Sequence, residues 1–182
     1  PLPRGGADRV ARLDREQFHP TLIVFPSTTP TLDADVPEMA RLKAKFGAPM
    51  FCFGPHASCT PEQSMARAPQ VDGMFVGEPE DGLIALATLE SVKDLETIPS
   101  LTFRRDGQVV PHRVQGTFTG FLDAPYPAWE LLDLSKYRLP LVNEPYVIVE
   151  SSRGCPYSCD FCVAPIHQGH KFRERSAKAL AD

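Results

Sequence analysis

Cys155, Cys159 and Cys162 stand in Ser151-Ser152-Arg153-Gly154-Cys155-Pro156-Tyr157-Ser158-Cys159-Asp160-Phe161-Cys162, a Cys-x3-Cys-x2-Cys spacing. Three thiolates on one short loop can hold three irons of a [4Fe–4S] cube, and the fourth iron then stays open to a further ligand. Gly154 permits a sharp turn into that loop, and Pro156 stiffens it. The aromatic Phe161 is expected to pack beside the cube and exclude water. Two other chemistries use the same residue types. Zinc takes four ligands in a closed tetrahedral site, and His167 or His170 can supply the fourth. Disulfide pairing fits less well, because five cysteines is an odd count and no secretory h-region is present.

Such a loop needs a scaffold, and the chain has the composition to build one. It has 182 residues, 42% of them hydrophobic, and a formal net charge of −4 with acidic and basic residues scattered. No basic run marks a nucleic-acid face. The longest apolar runs, Leu22–Phe25 and Tyr146–Val149, are strand-sized, so no transmembrane segment is expected. Free thiols and a thiolate-bound cluster predict a reducing, cytoplasmic setting. Nineteen prolines concentrate at turns, at helix starts and around Pro125, Pro127 and Pro140. That last stretch reads as a linker with Trp129, Leu131, Leu132 and Tyr137 to bury.

The N-terminal half alternates strands and helices. Thr21–Pro26 reads as a buried strand. Asp33 or Asp35 is expected to cap a helix with Pro37 in its first turn. Val36, Met39, Ala40, Leu42 and Phe46 form its apolar stripe, and Gly47 ends it in a left-handed conformation. Pro49–Phe53 is the next strand, followed by a loop at Gly54-Pro55-His56-Ala57 and a helix from Pro61 through Ala68. Val71–Val76 contains a third strand, and Pro79 opens a helix to about Glu90. This alternation predicts an α/β fold with a parallel sheet and helices on both faces. A hairpin is expected next, Leu101–Arg105 and Gln108–His112 turned at Asp106-Gly107. Tyr146–Glu150 reads as a strand leading into the cysteine loop, and Ser176 as a helix cap. Glu78 and Glu80 sit where a helix N-terminus favours acids. Cys52 reads as a small buried hydrophobe, Cys59 as a loop residue, His19 as a surface residue, and His167 and His170 as solvent-facing or cofactor-adjacent.

The Arg153-to-Cys162 motif resembles that of the radical S-adenosylmethionine (radical SAM) superfamily. Three loops upstream, Thr28-Thr29-Pro30, Gly54-Pro55-His56-Ala57 and Gly77-Glu78-Pro79-Glu80, resemble the successive loops of a cobalamin-binding domain, which stands N-terminal to the cluster motif in one large radical SAM class. Pro79 replaces a glycine common in that family. Leu122-Asp123-Ala124-Pro125-Tyr126-Pro127-Ala128-Trp129 resembles that class's interdomain connector. The resemblance implies a partial flavodoxin-like (Rossmann-type) cobalamin-binding domain over 1–98, a hairpin and linker over 99–145, and over 146–182 the first unit of a radical SAM (β/α) barrel.

It also implies the site. Cys155, Cys159 and Cys162 hold the [4Fe–4S] cluster, and S-adenosylmethionine chelates its open iron. Ser27, Thr28, Thr29, Gly54, Pro55, His56, Gly77, Glu78 and Pro79 line the cobalamin edge, with His56 contacting corrin side chains, and Phe161 serves the cluster. Reductive cleavage of S-adenosylmethionine then starts radical chemistry, with cobalamin donating a methyl group to an unactivated carbon of a small-molecule substrate. The electron donor would be a flavodoxin or ferredoxin. Radical ring formation or rearrangement is the alternative within the class, and a non-catalytic Cys3His zinc module the alternative outside it. The same resemblance predicts an internal fragment, inactive alone. Ala7–Gln17 is read as the second helix of the domain, and the strand Thr21–Pro26 is expected to have one unpaired edge.

Overall fold

The computed structural model describes residues 19–89, 92–112, 118, 129 and 132–181. The expectations for Ala7–Gln17 and for 122–128 lie outside these. Strands β1 (Ile23–Pro26), β2 (Met50–Phe53) and β3 (Gly73–Phe75) are joined through helices α1 (Leu32–Phe46), α2 (Pro55–Cys59) and α3 (Pro61–Arg67). Helix α4 (Glu80–Ala87) and a 3-10 segment, Val92–Thr97, follow β3. Strands β4 (Leu101–Arg105) and β5 (Gln108–Val110) complete one sheet in the order β1-β2-β3-β4-β5. The first three strands are parallel, with Phe25 opposite Cys52 and Cys52 opposite Met74. The hairpin is not a separate appendage: β4 pairs antiparallel with β3, so the sheet is mixed. Asp106 and Gly107 both have positive φ, 51° and 79°, as a two-residue type I′ turn requires.

Alternation along the strands splits the core between two faces. Met50, Cys52 and Met74 pack with Met39, Leu42, Met65 and Val71 on one face. Phe51, Phe75, Leu101 and Phe103 pack with Leu95 and Ile98 on the other. A Cβ on Gly82 would meet the Phe75 ring at 2.4 Å, so α4 lies directly on β3.

Helix α1 begins earlier than its acidic residues suggest. Thr31 precedes it without a side-chain cap, Asp33 and Asp35 fall within its first turn, and Pro37 lies one turn deeper. Burial of Leu32 accounts for the upstream start, and the two carboxylates then face the positive end of the helix dipole. Ala40 is exposed, outside the buried stripe of Leu32, Met39 and Leu42. Gly47 closes the helix with φ 64°.

The second part contains β6 (Ser152–Arg153) paired antiparallel with β7 (Arg173–Glu174), helix α5 (Ala164–Gln168) and helix α6 (Ala177–Ala181). Tyr146–Glu150 is not a strand, contrary to its apolar pattern. The Tyr146 N–H donates to the Tyr137 carbonyl at 3.0 Å, but this single backbone bond is not continued along the segment among the described residues, and Val147, Ile148 and Val149 remain exposed. One such bond does not build a ladder. Ser176 does cap α6, its Oγ accepting from the Ala179 N–H at 3.1 Å.

Candidate functional site at the carboxyl edge of the sheet

Each of β1, β2 and β3 ends in a polar turn, and parallel pairing places all three turns at one edge. Hydrogen bonds bind the turns to one another. The His56 N–H donates to the Ser27 carbonyl at 3.3 Å. Gly54 has φ 115°, and a Cβ there would meet the Ser27 carbonyl oxygen at 2.6 Å, so the close approach of the first two turns requires glycine. Thr29 Oγ1 lies 2.9 Å from His56 Nδ1, which fixes the ring and leaves Nε2 without a hydrogen bond from a described residue. The turn at 54–57, expected as a loop, is the start of α2, with Pro55 at its first position.

Ser58, which the sequence reading passed over, joins three segments. Its buried Oγ donates to the Gly54 carbonyl at 2.8 Å and accepts from the Gly77 N–H at 3.0 Å. His167 Nδ1 of α5 lies 3.0 Å from the same oxygen. With the hydroxyl hydrogen on Gly54, that contact makes His167 the Nδ1–H tautomer. His167 is therefore half-buried against α2, not turned to solvent. Its pKa lies below the ordinary value of 6.5, first because burial disfavours the charged ring, then because Arg153 is near.

An ionic cluster ties the third turn to the cysteine segment. Glu78 Oε1 accepts from Arg173 Nη2 at 2.6 Å, and Oε2 from Nη1 at 3.0 Å, a bidentate pair. The side chains of Glu78 and Arg173 are 5% and 6% exposed, so neither is a solvated charge. Arg153, immediately before Gly154-Cys155, reaches Glu80 at 2.7 Å, Glu150 at 2.9 Å and Glu78 at 3.5 Å. Burial opposes its charge, but hydrogen bonds and attraction from Glu80 and Glu150 prevail and raise its pKa. Arg173 also donates to the carbonyls of Phe118 and Gln168, and its guanidinium lies 5.7 Å from the Phe118 ring centroid. A Cβ on Gly77 would meet that ring at 3.0 Å. Phe118 is thus wedged between the third turn and the cysteine segment. Glu78, expected at the cobalamin edge, and Glu80, expected as a dipole partner, both stand in or beside the third turn, and their carboxylates pair there with Arg173 and Arg153. The only sequence signal for this was the pairing of an acidic turn with an Arg-Gly-Cys run.

The cysteine loop has its own backbone frame. The Cys155 N–H donates to the Gly169 carbonyl at 3.1 Å, and the Cys162 N–H to the Cys159 carbonyl at 3.0 Å. Gly154 has φ 88°, and a Cβ there would meet the Lys171 carbonyl oxygen at 2.1 Å. Cys155 and Cys162 are partly exposed and Cys159 is exposed; all are free thiols. Phe161 is 92% exposed beside Cys162. Among the described residues no three His, Cys, Asp or Glu side chains converge as the ligands of a single ion would. Three thiolates from one short loop are a donor set of the kind that holds an iron–sulfur cluster. Of the two histidines that could complete a Cys3His site, His167 has its Nδ1 3.0 Å from Ser58 Oγ and His170 is exposed.

Comparisons with known proteins agree with this arrangement. The chain is 27% identical over 170 residues to an uncharacterised methyltransferase of Pyrococcus horikoshii, an alignment covering 92% of this chain and 36% of that protein. It is 30% identical over 115 residues to the cobalamin-dependent radical SAM methyltransferase TokK of Streptomyces tokunonensis, covering 60% of this chain and 17% of TokK. Its fold matches the radical S-adenosylmethionine methyltransferase TsrM of Kitasatospora setae, solved with cobalamin and a [4Fe–4S] cluster bound, with a TM-score of 0.68 and 19% identity over 98% of this chain and 38% of TsrM. The chain thus spans well under half the length of these relatives. No protein-family model matches it.

Proposed function

We propose that this chain is part of a cobalamin-dependent radical SAM methyltransferase, the part that brings a [4Fe–4S] cluster to a cobalamin edge; its similarity to TokK and to the Pyrococcus methyltransferase supports that reading. The observation that carries this is the docking of the cysteine segment on the carboxyl edge of the sheet, through His167 to Ser58 and through Arg153 and Arg173 to Glu78 and Glu80. Ligands of open α/β sheets bind at that edge. When bound, the cluster supplies the electron that cleaves S-adenosylmethionine, and cobalamin supplies a methyl group for an unactivated carbon of a small substrate.

The chain's own residues bind and orient. Cys155, Cys159 and Cys162 hold irons from one loop, with Gly154 giving the turn that aims them. Ser27, Thr28, Thr29, Gly54, Pro55, His56, Gly77 and Pro79 form the cobalamin edge, with Glu78 in the same third turn and Thr29 Oγ1 2.9 Å from His56 Nδ1. Phe161, exposed beside Cys162, is the apolar side chain placed to shield the cluster. The cofactor-binding part, 1–98, is completed physically by the hairpin at the start of 99–145; the cluster part is 146–182. A flavodoxin or ferredoxin is the electron donor that fits this chemistry, and a reducing cytoplasm suits its free thiols. No helix among the described residues is long and apolar enough to cross a membrane.

Methyl transfer is favoured over ring formation or rearrangement because both sequence relatives above carry methyltransferase names. The test is anaerobic incubation of the chain with iron, sulfide and cobalamin, followed by removal of free cofactor. Retained brown cluster absorption together with a cobalamin spectrum supports the reading. Stoichiometric colourless zinc without either spectrum overturns it.

A further inference from the structure

Glu78 lies in a turn that would otherwise be assigned to cofactor contact, yet both of its carboxylate oxygens are taken by Arg173. Arg173 lies on β7, which pairs with β6, and β6 carries Arg153 directly before the cysteine loop. Arg173 also holds the carbonyl of Gln168 at the end of α5, the helix that follows Cys162. One guanidinium therefore fixes the strand beneath the loop and the helix that closes it, and Glu78 fixes that guanidinium to the sheet.

We propose that Glu78 is a positioning residue for the cluster loop: with Arg173 and Arg153 it clasps the loop, at both of its ends, to the third turn of the sheet. The claim deepens the proposed function and rests on it only in naming the loop's cargo. The physical case is that removing one member of a buried ion pair leaves the other charge buried without its partner. The thiolates are local to one another, so the clasp governs where the loop sits, not whether it can take up iron. Loss of the clasp should leave the cysteines able to bind but free to sample several orientations relative to the sheet.

The test compares the chain with its Glu78→Gln and Arg173→Gln variants after anaerobic reconstitution with iron and sulfide. Iron per chain, amide hydrogen exchange and the electron paramagnetic resonance spectrum of the dithionite-reduced cluster are measured for each. In both variants the expected result is unchanged iron content and a broadened resonance signal. Exchange across 152–175 should accelerate by on the order of a hundredfold or up to the unprotected rate, while β1, β2 and β3 keep their protection. The double variant should be little worse than either single one, because both remove the same pair. Unchanged exchange across 152–175 would overturn the proposal. So would acceleration spread equally over β2 and β3, which would make the pair a support of the whole fold. Absence of iron from the parent chain would strike the cluster assignment instead, and the exchange measurement would still decide the clasp.

Discussion

At the scale of single residues, buried polar groups do most to fix the site. The pKa of His167 is lowered by burial first and then by Arg153, against weaker pull from Glu78, Glu80 and Glu150. Its folded pKa is lower than its unfolded one, so the unfolded chain binds the extra proton more readily. Docking of α5 on α2 is therefore fully supported above the ordinary pKa of 6.5 and weakens as pH falls below it. Denaturant melts between pH 7.5 and 5 should show that loss, and it should be smaller in His167→Asn, which can still bond Ser58 but does not titrate. Ser58→Ala should destabilise the edge by about 1–3 kcal/mol, because the Gly77 N–H loses its acceptor in a buried place. A chemical-denaturation midpoint unchanged from the parent would remove Ser58 from the account.

Among the elements, the two tight glycine turns carry the most specific expectations. Gly154→Ala would put a methyl group against the Lys171 carbonyl and force an L-residue to φ 88°. The backbone term alone is about 1–2 kcal/mol, and the clash must also separate β6 from the segment after α5. Cluster content after reconstitution should fall well below that of the parent. Retention of full iron with an unchanged melting temperature would show that the turn is not a constraint. Much of this level was legible in the sequence. Strand–turn–helix alternation located β1, β2 and β3 and their turns, Asp106-Gly107 located the hairpin, and Ser176 located a cap. What escaped reading had a common cause, dependence on distant partners. Nothing local announces that Glu78 meets Arg173, 95 residues on, or that β4 adds antiparallel to β3. Tyr146–Glu150 failed in the opposite direction: its composition suits a strand, but a strand also needs a neighbour. Likewise the contact of His167 with Ser58, 109 residues upstream, has no local signal, and the sequence offers only a solvent-facing or cofactor-adjacent place for it.

For the whole molecule, the unpaired side of β1 is the feature with the most direct consequence for association. Among the described residues β1 pairs on one side only, as expected from its reading as an edge. The Ile23 and Ser27 N–H groups point to β2, so the Val24 N–H faces outward, and Pro26 sits in the same outward phase, where it costs no ladder bond. Val24→Pro should therefore reduce concentration-dependent association, measured by light scattering, without unfolding the sheet. Ile148, Phe161 and Phe172 are exposed apolar side chains of the cysteine-bearing part. The sheet edge and the cysteine loop face each other across the Glu78–Arg173 pair, and the function proposed for the molecule depends on what that loop holds. The most direct test is iron and sulfide content after anaerobic reconstitution, in the parent and in single Cys→Ala variants. The account predicts about four iron and four sulfide per chain in the parent, and loss of the broad absorption in Cys155→Ala, Cys159→Ala and Cys162→Ala. Cys52→Ala and Cys59→Ala should retain the cluster; Cys52 lies inside β2 with its thiol pushed up to about 12 by burial and then by Asp35. Iron content equal to the parent's in all three loop variants would contradict the assignment.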